Sequence, residues 1–326
     1  MAYSAGDIQV GYGVESVFGT AVAPTKFFEI TSESLKQTID RTDSKGLRTQ
    51  RVLASKANWS PGKIDAGGDI EFEWQTKGMG RLLGHLLGDT VSTTGTTSYT
   101  HVYEMTAGET TNGKSMTWQV GRTDASGNRA RFIYAGAKAT SWEISAAAGE
   151  IVMGKVSLDA QSETVDATAP ATATYPTGVP LVFQGAAVNV DGTSFTCKNV
   201  SIKGDNALKT DRYNLGSNLK KEQVQNGLRS ITGQIGLEFD GLTAYNYVVN
   251  GSVKSFSAVF SSLDAIDGSV KASLTISLPD IRFDGETPVA NNGQIIDHNL
   301  NFVALDDETG SASPCVITYV TLDATP

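Results

Sequence analysis

A Gly-led alternating segment occurs twice in this chain, once near the middle of each half. It reads Gly68-Asp69-Ile70-Glu71-Phe72-Glu73-Trp74, then Gly233-Gln234-Ile235-Gly236-Leu237-Glu238-Phe239. Position 233 less position 68 gives an offset of 165 residues, about half of the 326. Upstream, Leu35 to Asp40 falls on Val200 to Asp205 at the same offset, so the connection between the two segments reads as equally long in both copies. Downstream, Gly149-Glu150-Ile151-Val152 returns as Gly293-Gln294-Ile295-Ile296 at an offset of 144, and an insertion in the first copy near residues 90 to 115 accounts for the 21-residue shortfall. A pattern repeated over half a chain requires the same unit to fold twice. The expectation is a mainly β protein of two tandem sandwich or barrel domains, each with one short α-helix and one long loop.

Length and composition agree. A chain of 326 residues suits about two domains at roughly 150 residues each. The 34 glycines and a charged fraction of only 19% favour short strands and turns over long helices. No apolar run approaches the roughly 18 residues of a membrane span, and the opening Met1-Ala2-Tyr3-Ser4-Ala5-Gly6-Asp7 has no basic start followed by an apolar stretch. A soluble, unprocessed protein with no membrane partner is expected. A net charge of −9 argues against gripping nucleic acid through its phosphates. It does not argue against lying beside DNA.

The chain divides into an arm over 1–26, a first domain over 27–165, a linker over 166–180, a second domain over 181–306 and a C-terminal strand or arm over 307–326. The arm is rich in small residues and has no periodicity. The stretch from Ile39 to Gly67 is polar and carries Arg41, Lys45, Arg48, Arg51, Lys56 and Lys63. Most connections are about 4 to 6 residues, so a loop this long signals a function, and its return in the second copy with Lys209, Arg212, Lys220, Lys221 and Arg229 strengthens that reading. Met79, Leu82, Leu83, Leu86 and Leu87 form one helical stripe that Gly88 ends; Leu242, Tyr245, Val248 and Val249 before Gly251 repeat it. Hairpins follow, with turns at Asp124 to Gly127 and at Asp264 to Gly268, then closing strands over Ile151 to Leu158 and Ile295 to Val303. The Pro/Ala/Thr-rich linker, if extended, reaches about 45 Å.

Few residues carry chemistry. Gly108 to Ser115 fits the phosphate-binding string G-x-x-x-x-G-K-[ST], but that loop needs a following helix whose amides point at phosphate, and Met116-Thr117-Trp118-Gln119-Val120 is β-prone. A hairpin tip is the better reading. His85, His101 and His298 are isolated and read as packing residues. Cys197 and Cys315 form neither a disulfide framework nor a metal spacing. No cofactor, metal or catalytic residue is expected. Alternation puts Asp69, Glu71 and Glu73 on one strand face and Ile70, Phe72 and Trp74 on the other, while Glu238 and Asp240 oppose Ile235, Leu237 and Phe239. This is an ordinary solvent face or an acidic wall.

The opening Gly13-Val14-Glu15-Ser16-Val17-Phe18-Gly19-Thr20-Ala21, the run Phe28-Glu29-Ile30-Thr31-Ser32-Glu33-Ser34-Leu35 and the Arg/Ser/Gly-rich loop after it resemble tail tube, or major tail, proteins of bacteriophages with long non-contractile tails. The likeness extends through Gly68 to Trp74 and the helix beyond. It implies stacked rings of β-sandwich subunits around a channel for DNA, in the virion tail, assembled in the host cytoplasm. Partners would be further copies of the chain, the tape measure, tail terminator and distal tail proteins, and transiently the phage DNA. The acidic residues Asp69, Glu71, Glu73, Glu238 and Asp240 would then line the lumen, and the basic loop residues would serve ring stacking.

Many members of that family have a single tube fold and form hexamers. Two copies on one chain imply rings of three chains with six folds. A hexamer whose second domain projects outward is the competing arrangement, although a decoration has no reason to keep the long loop. A surface adhesin or decoration protein is the rival from another class.

Overall fold

The computed structural model describes residues 7–88, 91–105, 114–124, 126–166, 168–290, 293–310 and 312–326. In the first half β1 (Ile8–Val14), β2 (Lys26–Phe27), β3 (Ser32–Glu33), β4 (Lys36–Asp43) and β5 (Trp59–Glu73) lead to α1 (Gly80–Leu87). Then come β6 (Val91–Gly95), β7 (Tyr99–Glu104), β8 (Met116–Thr123), β9 (Arg129–Ala147), β10 (Met153–Ala160) and β11 (Ser162–Asp166). The second half runs through β12 (Ala186–Val190), β13 (Thr193–Phe195), β14 (Cys197–Asp205), β15 (Leu208–Lys209), β16 (Val224–Gln225) and β17 (Ser230–Glu238). It ends with α2 (Leu242–Asn250), β18 (Lys254–Asp267), β19 (Val270–Asp284), β20 (Asp297–Ala304) and β21 (Val316–Thr321). The fold is mainly β and antiparallel, with one short α-helix in each half among the described residues.

The duplication read in the sequence is a duplication of topology. In the first half β1 pairs β8, β8 pairs β9, and β11 pairs the N-terminal part of β9. The C-terminal part of β9 leaves that outer sheet and pairs β10, which pairs β5, which pairs β4. The second half repeats each step with β12, β18, β19 and β21 outside and β19, β20, β17 and β14 inside. A strand that serves two sheets must bend. In β9 the bend falls at Tyr134-Ala135-Gly136-Ala137-Lys138-Ala139, buried on both faces, so the alternation that marks a strand is lost there. For that reason the sequence showed only the hairpin half of β9.

The two inner sheets are one sheet. The free edge of β14 pairs with β9 from Asn199 opposite Ala147 to Asp205 opposite Ser141. The order β4-β5-β10-β9-β14-β17-β20-β19 therefore runs unbroken through both halves. At the join Gly204 lies opposite Trp142, and a Cβ on Gly204 would come within 2.3 Å of the indole. Only glycine lets the two backbones close under that ring.

One face of this long sheet packs on the outer sheets. Ile70, Phe72, Trp74, Trp142, Ile144, Val200, Ile202 and Ile235 belong to a single core with Tyr12, Trp118 and Tyr134 of one outer sheet and Phe256, Phe260, Leu274 and Ile276 of the other. Phe28 and Phe72 meet edge to face at 5.3 Å, and Phe256 and Phe302 lie 4.7 Å apart. The glycine that opens the repeated segment is steric in origin: Gly68 has φ 148°, and a Cβ there would sit 2.4 Å from the Ser34 carbonyl oxygen.

Several expectations need revision. The segment read as an N-terminal arm contains β1, whose central residues are buried; Gly11 lies against the Phe27 ring, and the Gly-Tyr-Gly run hid a strand covered on both sides. The two long connections are not equal. Lys36 pairs with Gly67, and Lys203 pairs with Thr232, 165 residues after Gly67; Lys203 is 167 residues after Lys36, so the second connection is shorter by two. A slip of two keeps every side chain on its face, so patterning cannot detect it. The linker is strapped to the first half rather than spanning freely: Gln119 accepts from the Ala171 amide at 2.9 Å, and Thr76 and Val179 bond backbone to backbone at 3.0 Å. Residues 316–321, expected as a terminal strand or arm, form β21 between β19 and β7. Thus the hairpin β6–β7, from the insertion in the first copy, extends the outer sheet of the second.

The join supplies a direct test. Gly204→Ala places a methyl against a ring that is walled in by the core, and the expected cost is about 1–3 kcal/mol. Urea unfolding of the purified chain measures it; a change within error would mean that the β9–β14 contact is looser than described.

Candidate functional site

The other face of the long sheet is open. Along β5 it carries Asp69, Glu71 and Glu73, while Ile70, Phe72 and Trp74 are fully buried on the reverse. In β17 Ile235 and Leu237 are buried with Glu238 opposite; Phe239 and Asp240 follow the strand end and are exposed. Pairing sets the rows across this face. Glu71 lies beside Lys155, Lys155 beside Glu143, Glu143 beside Lys203, and Lys203 beside Thr232. The next row reads Glu73, Met153, Ser145, Ser201, Gln234 and Asn301, with Gln234 Nε2 donating to Asn301 Oδ1 at 3.0 Å. A face of small polar groups and alternating charges binds water well and offers no deep apolar pocket.

The acids are not unaccompanied. Lys155 Nζ lies 2.9 Å from Asp69 and 3.2 Å from Glu71, and Glu143 and Lys203 pair at 3.2 Å. In the second half Lys198 lies 3.0 Å from Glu238 and 2.7 Å from Asp297. Each half thus holds one lysine between two carboxylates. Glu71 titrates below the ordinary range because Ser32 Oγ donates to it at 2.9 Å, with Lys155 adding to the effect. For Asp69 partial burial pushes upward, but the hydrogen bonds from Ser157 and Lys155 outweigh it and the net shift is down. Both carboxylates stay ionised through neutral pH. The lysines were missed because a lone Lys in an alternating strand carries no signal until the register sets it beside an acid.

The loop residues fall into two groups. Lys45, Arg48 and Lys56 are exposed, Arg41 lies over the Trp59 ring at 5.4 Å, and Arg51 bonds the carbonyls of Leu53 and Gly46 within its own loop. Leu47, Val52 and Leu53 at this tip are almost fully exposed. The second loop folds back on the first half of the same chain. Lys220 is buried against Asp159 and Asp65, and Arg229 donates to the Leu87 carbonyl at the end of α1 at 2.6 Å, while Arg212 donates to the Glu222 carbonyl at 2.7 Å within the loop itself. Asn206 bonds the carbonyls of Leu86 and Ala139 at 3.0 and 2.9 Å. Lys209 and Lys221 are exposed, as are Leu215 and Leu228. So the base of this loop is internal, and its tip is available.

Other candidates resolve as structure. Residues 108–113 of the phosphate-loop string lie outside the described residues; Lys114 and Ser115 lead into strand β8, not a helix. His101 is buried, with its ring nitrogens 2.9 Å from Thr93 Oγ1 and 2.8 Å from the Asp323 carbonyl. Burial pushes His85 down to about 3 and Cys315 up to about 12. No helix among the described residues is long and apolar enough to cross a membrane.

Lys155 tests the electrostatic account. Asp69 and Glu71 titrate below their unfolded values, so the stability they contribute is present above the ordinary carboxylate range and lost as pH falls through their folded values. Lys155→Gln should raise both titration midpoints, followed by carboxyl NMR over roughly pH 2 to 6. The stability change at neutral pH should stay below about 1 kcal/mol, because the cluster is over a third exposed. Unmoved midpoints would contradict the clamp.

A search among curated proteins finds no match. The family model described as phage tail tube protein matches residues 6–304, which take in the first copy of the repeated topology and all of the second but β21. A mainly β subunit with a long open-faced sheet agrees with that match, and the chain belongs to the phage tail tube protein family.

Proposed function

We propose that three chains close into a ring of six tube folds and that rings stack into the channel through which phage DNA leaves the capsid. One observation carries the reading: β14 continues the long sheet of the first half, so the second half is built as the next segment of one wall and not as an appendage. An outward-projecting second domain in a hexamer would leave no reason for that shared sheet. A surface adhesin would present loops for a ligand, whereas the rows of polar and charged groups described above lie on a sheet face.

The open face would line the lumen, with Asp69, Glu71, Glu73, Glu238 and Asp240 among its carboxylates. Lys155 and Lys198 neutralise part of that charge but leave carboxylates in excess around each clamp. At physiological salt, screening limits repulsion of phosphate to about 8 Å. DNA would therefore feel the wall only at close range and slide past on the water held by Ser, Thr, Asn and Gln. The exposed tips around Leu47, Val52 and Leu53 and around Leu215 and Leu228 would meet the adjacent ring. The tape measure, tail terminator and distal tail proteins would bound the stack.

Symmetry analysis of tubes assembled from the purified chain tests the stoichiometry. Three chains per ring with near-sixfold density is the expected result; six chains, with residues 181–306 on the outside, would overturn it. The lumen assignment has its own test. Replacing Asp69, Glu71 and Glu73 with lysine beside Lys155 should slow genome release from assembled phage in a salt-dependent way, because binding to phosphate weakens steeply with salt. Normal tubes with unchanged release at low and high salt would place the lumen elsewhere.

A further inference from the structure

The chain contains one finished join between tube folds and the two halves of an unfinished one. The finished join is β9 with β14. Its counterparts under the repeat are the C-terminal end of β19 and the free edge of β4. The register fixes the correspondence. Lys36 stands where Lys203 stands, Gln37 where Gly204 stands and Thr38 where Asp205 stands, each opposite the matching residue of β5 or β17. On the other side Ser141 pairs Ser157, as Asp284 pairs Asn301, so Gly285, Glu286 and Thr287 take the places of Trp142, Glu143 and Ile144.

We infer that β4 of one chain pairs antiparallel with residues 284–287 of a second copy, which become a strand on assembly, with Lys36 opposite Glu286 and Gln37 opposite Gly285. The inference rests on the ring reading above and names the edges that close it.

Side-chain chemistry agrees at both tested positions. Within the chain Lys203 and Glu143 pair at 3.2 Å, and the transferred register sets Lys36 against Glu286, the same two residue types in the same order. Within the chain a glycine on β14 makes room for a large side chain on β9; between chains the glycine is Gly285, on the other strand, and Gln37 supplies the bulk. The small and large partners are exchanged but still complementary. Two independent positions preserve the logic of the join.

The backbone is ready on both sides. Gly285 to Thr287 are exposed and belong to no strand, although β19 has just run the length of two sheets. In β9 the Ala148 amide donates to the Lys198 carbonyl and the Thr140 carbonyl accepts from the Asn206 amide, both at 2.8 Å, so the even-numbered residues of β9 face β14. Ser145 faces β10. Its counterpart is Pro288, whose missing N–H therefore falls on the β20 side and costs the new join nothing. On β4 the Leu35 amide is held by the Glu33 carboxylate at 2.9 Å and its carbonyl by Tyr134 at 2.9 Å, so the open edge begins at Gln37. An unpaired sheet edge of this kind is a template for another chain.

The helices make the same argument from packing. The C-terminal end of α1 is covered by Asn206 and Arg229, which reach it across the β9–β14 join. The matching C-terminal end of α2 has no such cover among the described residues: Val249 is 60% exposed, and Val253 beyond it is 51% exposed. Across the proposed join, the residue in the position of Asn206 is Ile39, 41% exposed and paired with Ile64. A polar cover on α1 becomes an apolar cover on an apolar α2.

Cysteine crosslinking reads this out. Residues 36 and 286 would form a non-hydrogen-bonded pair with Cα atoms about 4.5 Å apart, within disulfide range. Both are exposed, so Lys36→Cys with Glu286→Cys should leave folding intact. Oxidising assembled tubes of the double variant should give two-chain and three-chain bands on a non-reducing gel, ending at three, while neither single variant crosslinks. Bands continuing to six would sustain the join and overturn the ring of three. Tubes of normal appearance that yield no crosslink would overturn the join while leaving the ring of three to its own symmetry test.

Discussion

Unsatisfied sheet edges govern this molecule. A β-strand that ends a sheet presents a row of unpaired backbone groups, and water or another strand must meet them. Here one such edge, that of β14, is met inside the chain by β9 over seven residues from Asn199 to Asp205. From that pairing follow the single core shared by both halves, the glycine under Trp142, and the seating of Asn206, Lys220 and Arg229 against the first half. The hairpin β6–β7 makes a second tie by pairing β21. Two chains with the same folds would have to meet by diffusion; two folds on one chain meet at the high effective concentration of a tether.

The buried ions at this seam show what the tie has to hold. Lys220 lies against Asp159 and Asp65, and Lys138 Nζ meets Glu222 at 2.8 Å and the Gln223 carbonyl at 2.9 Å. Burial pushes Asp159 upward, and the lysine beside it opposes that push. Removing one member of such a group leaves the other buried and uncompensated, which costs more than the intact group contributes. Ionic groups of this kind add little net stability, but they penalise any misplacement of the second loop on the first half.

The fold was legible where periodicity was intact. The stripe Met79, Leu82, Leu83, Leu86 and Leu87 became a helix with those residues buried, and the Ile70, Phe72 and Trp74 face became core. Legibility failed where a strand is covered on both sides. Glycines in β1 and the Ala/Gly run in β9 remove the contrast between faces, so an integral strand read as an arm and a 19-residue strand read as half of a hairpin. The acidic row on β5 was visible as alternation, whereas Lys155, Glu143 and Lys203 became its neighbours only through a register that patterning does not encode. Likewise Lys220 and Arg229 read as loop cations, and nothing local marked them as seam residues.

Under the proposed ring, the divergence of the two copies separates permanent contacts from those made on assembly. α1 buries its whole apolar stripe, and the neighbouring loop caps it. In α2 only Ala244 is buried, although Tyr247 stacks on Phe283 at 5.9 Å. If both copies met only their own chain, selection for solubility would act on α2 as on any surface helix, and the exposed apolar pair Val249 and Val253 at its C-terminal end would be a liability. Its retention beside an unpaired strand end is coherent if that corner is exposed only before assembly. The same logic accounts for the polar open face of the long sheet, which under the proposed ring has no partner to acquire. In the proposed ring, charge and water cover the surface that must stay open, and apolar groups mark the surface that must close.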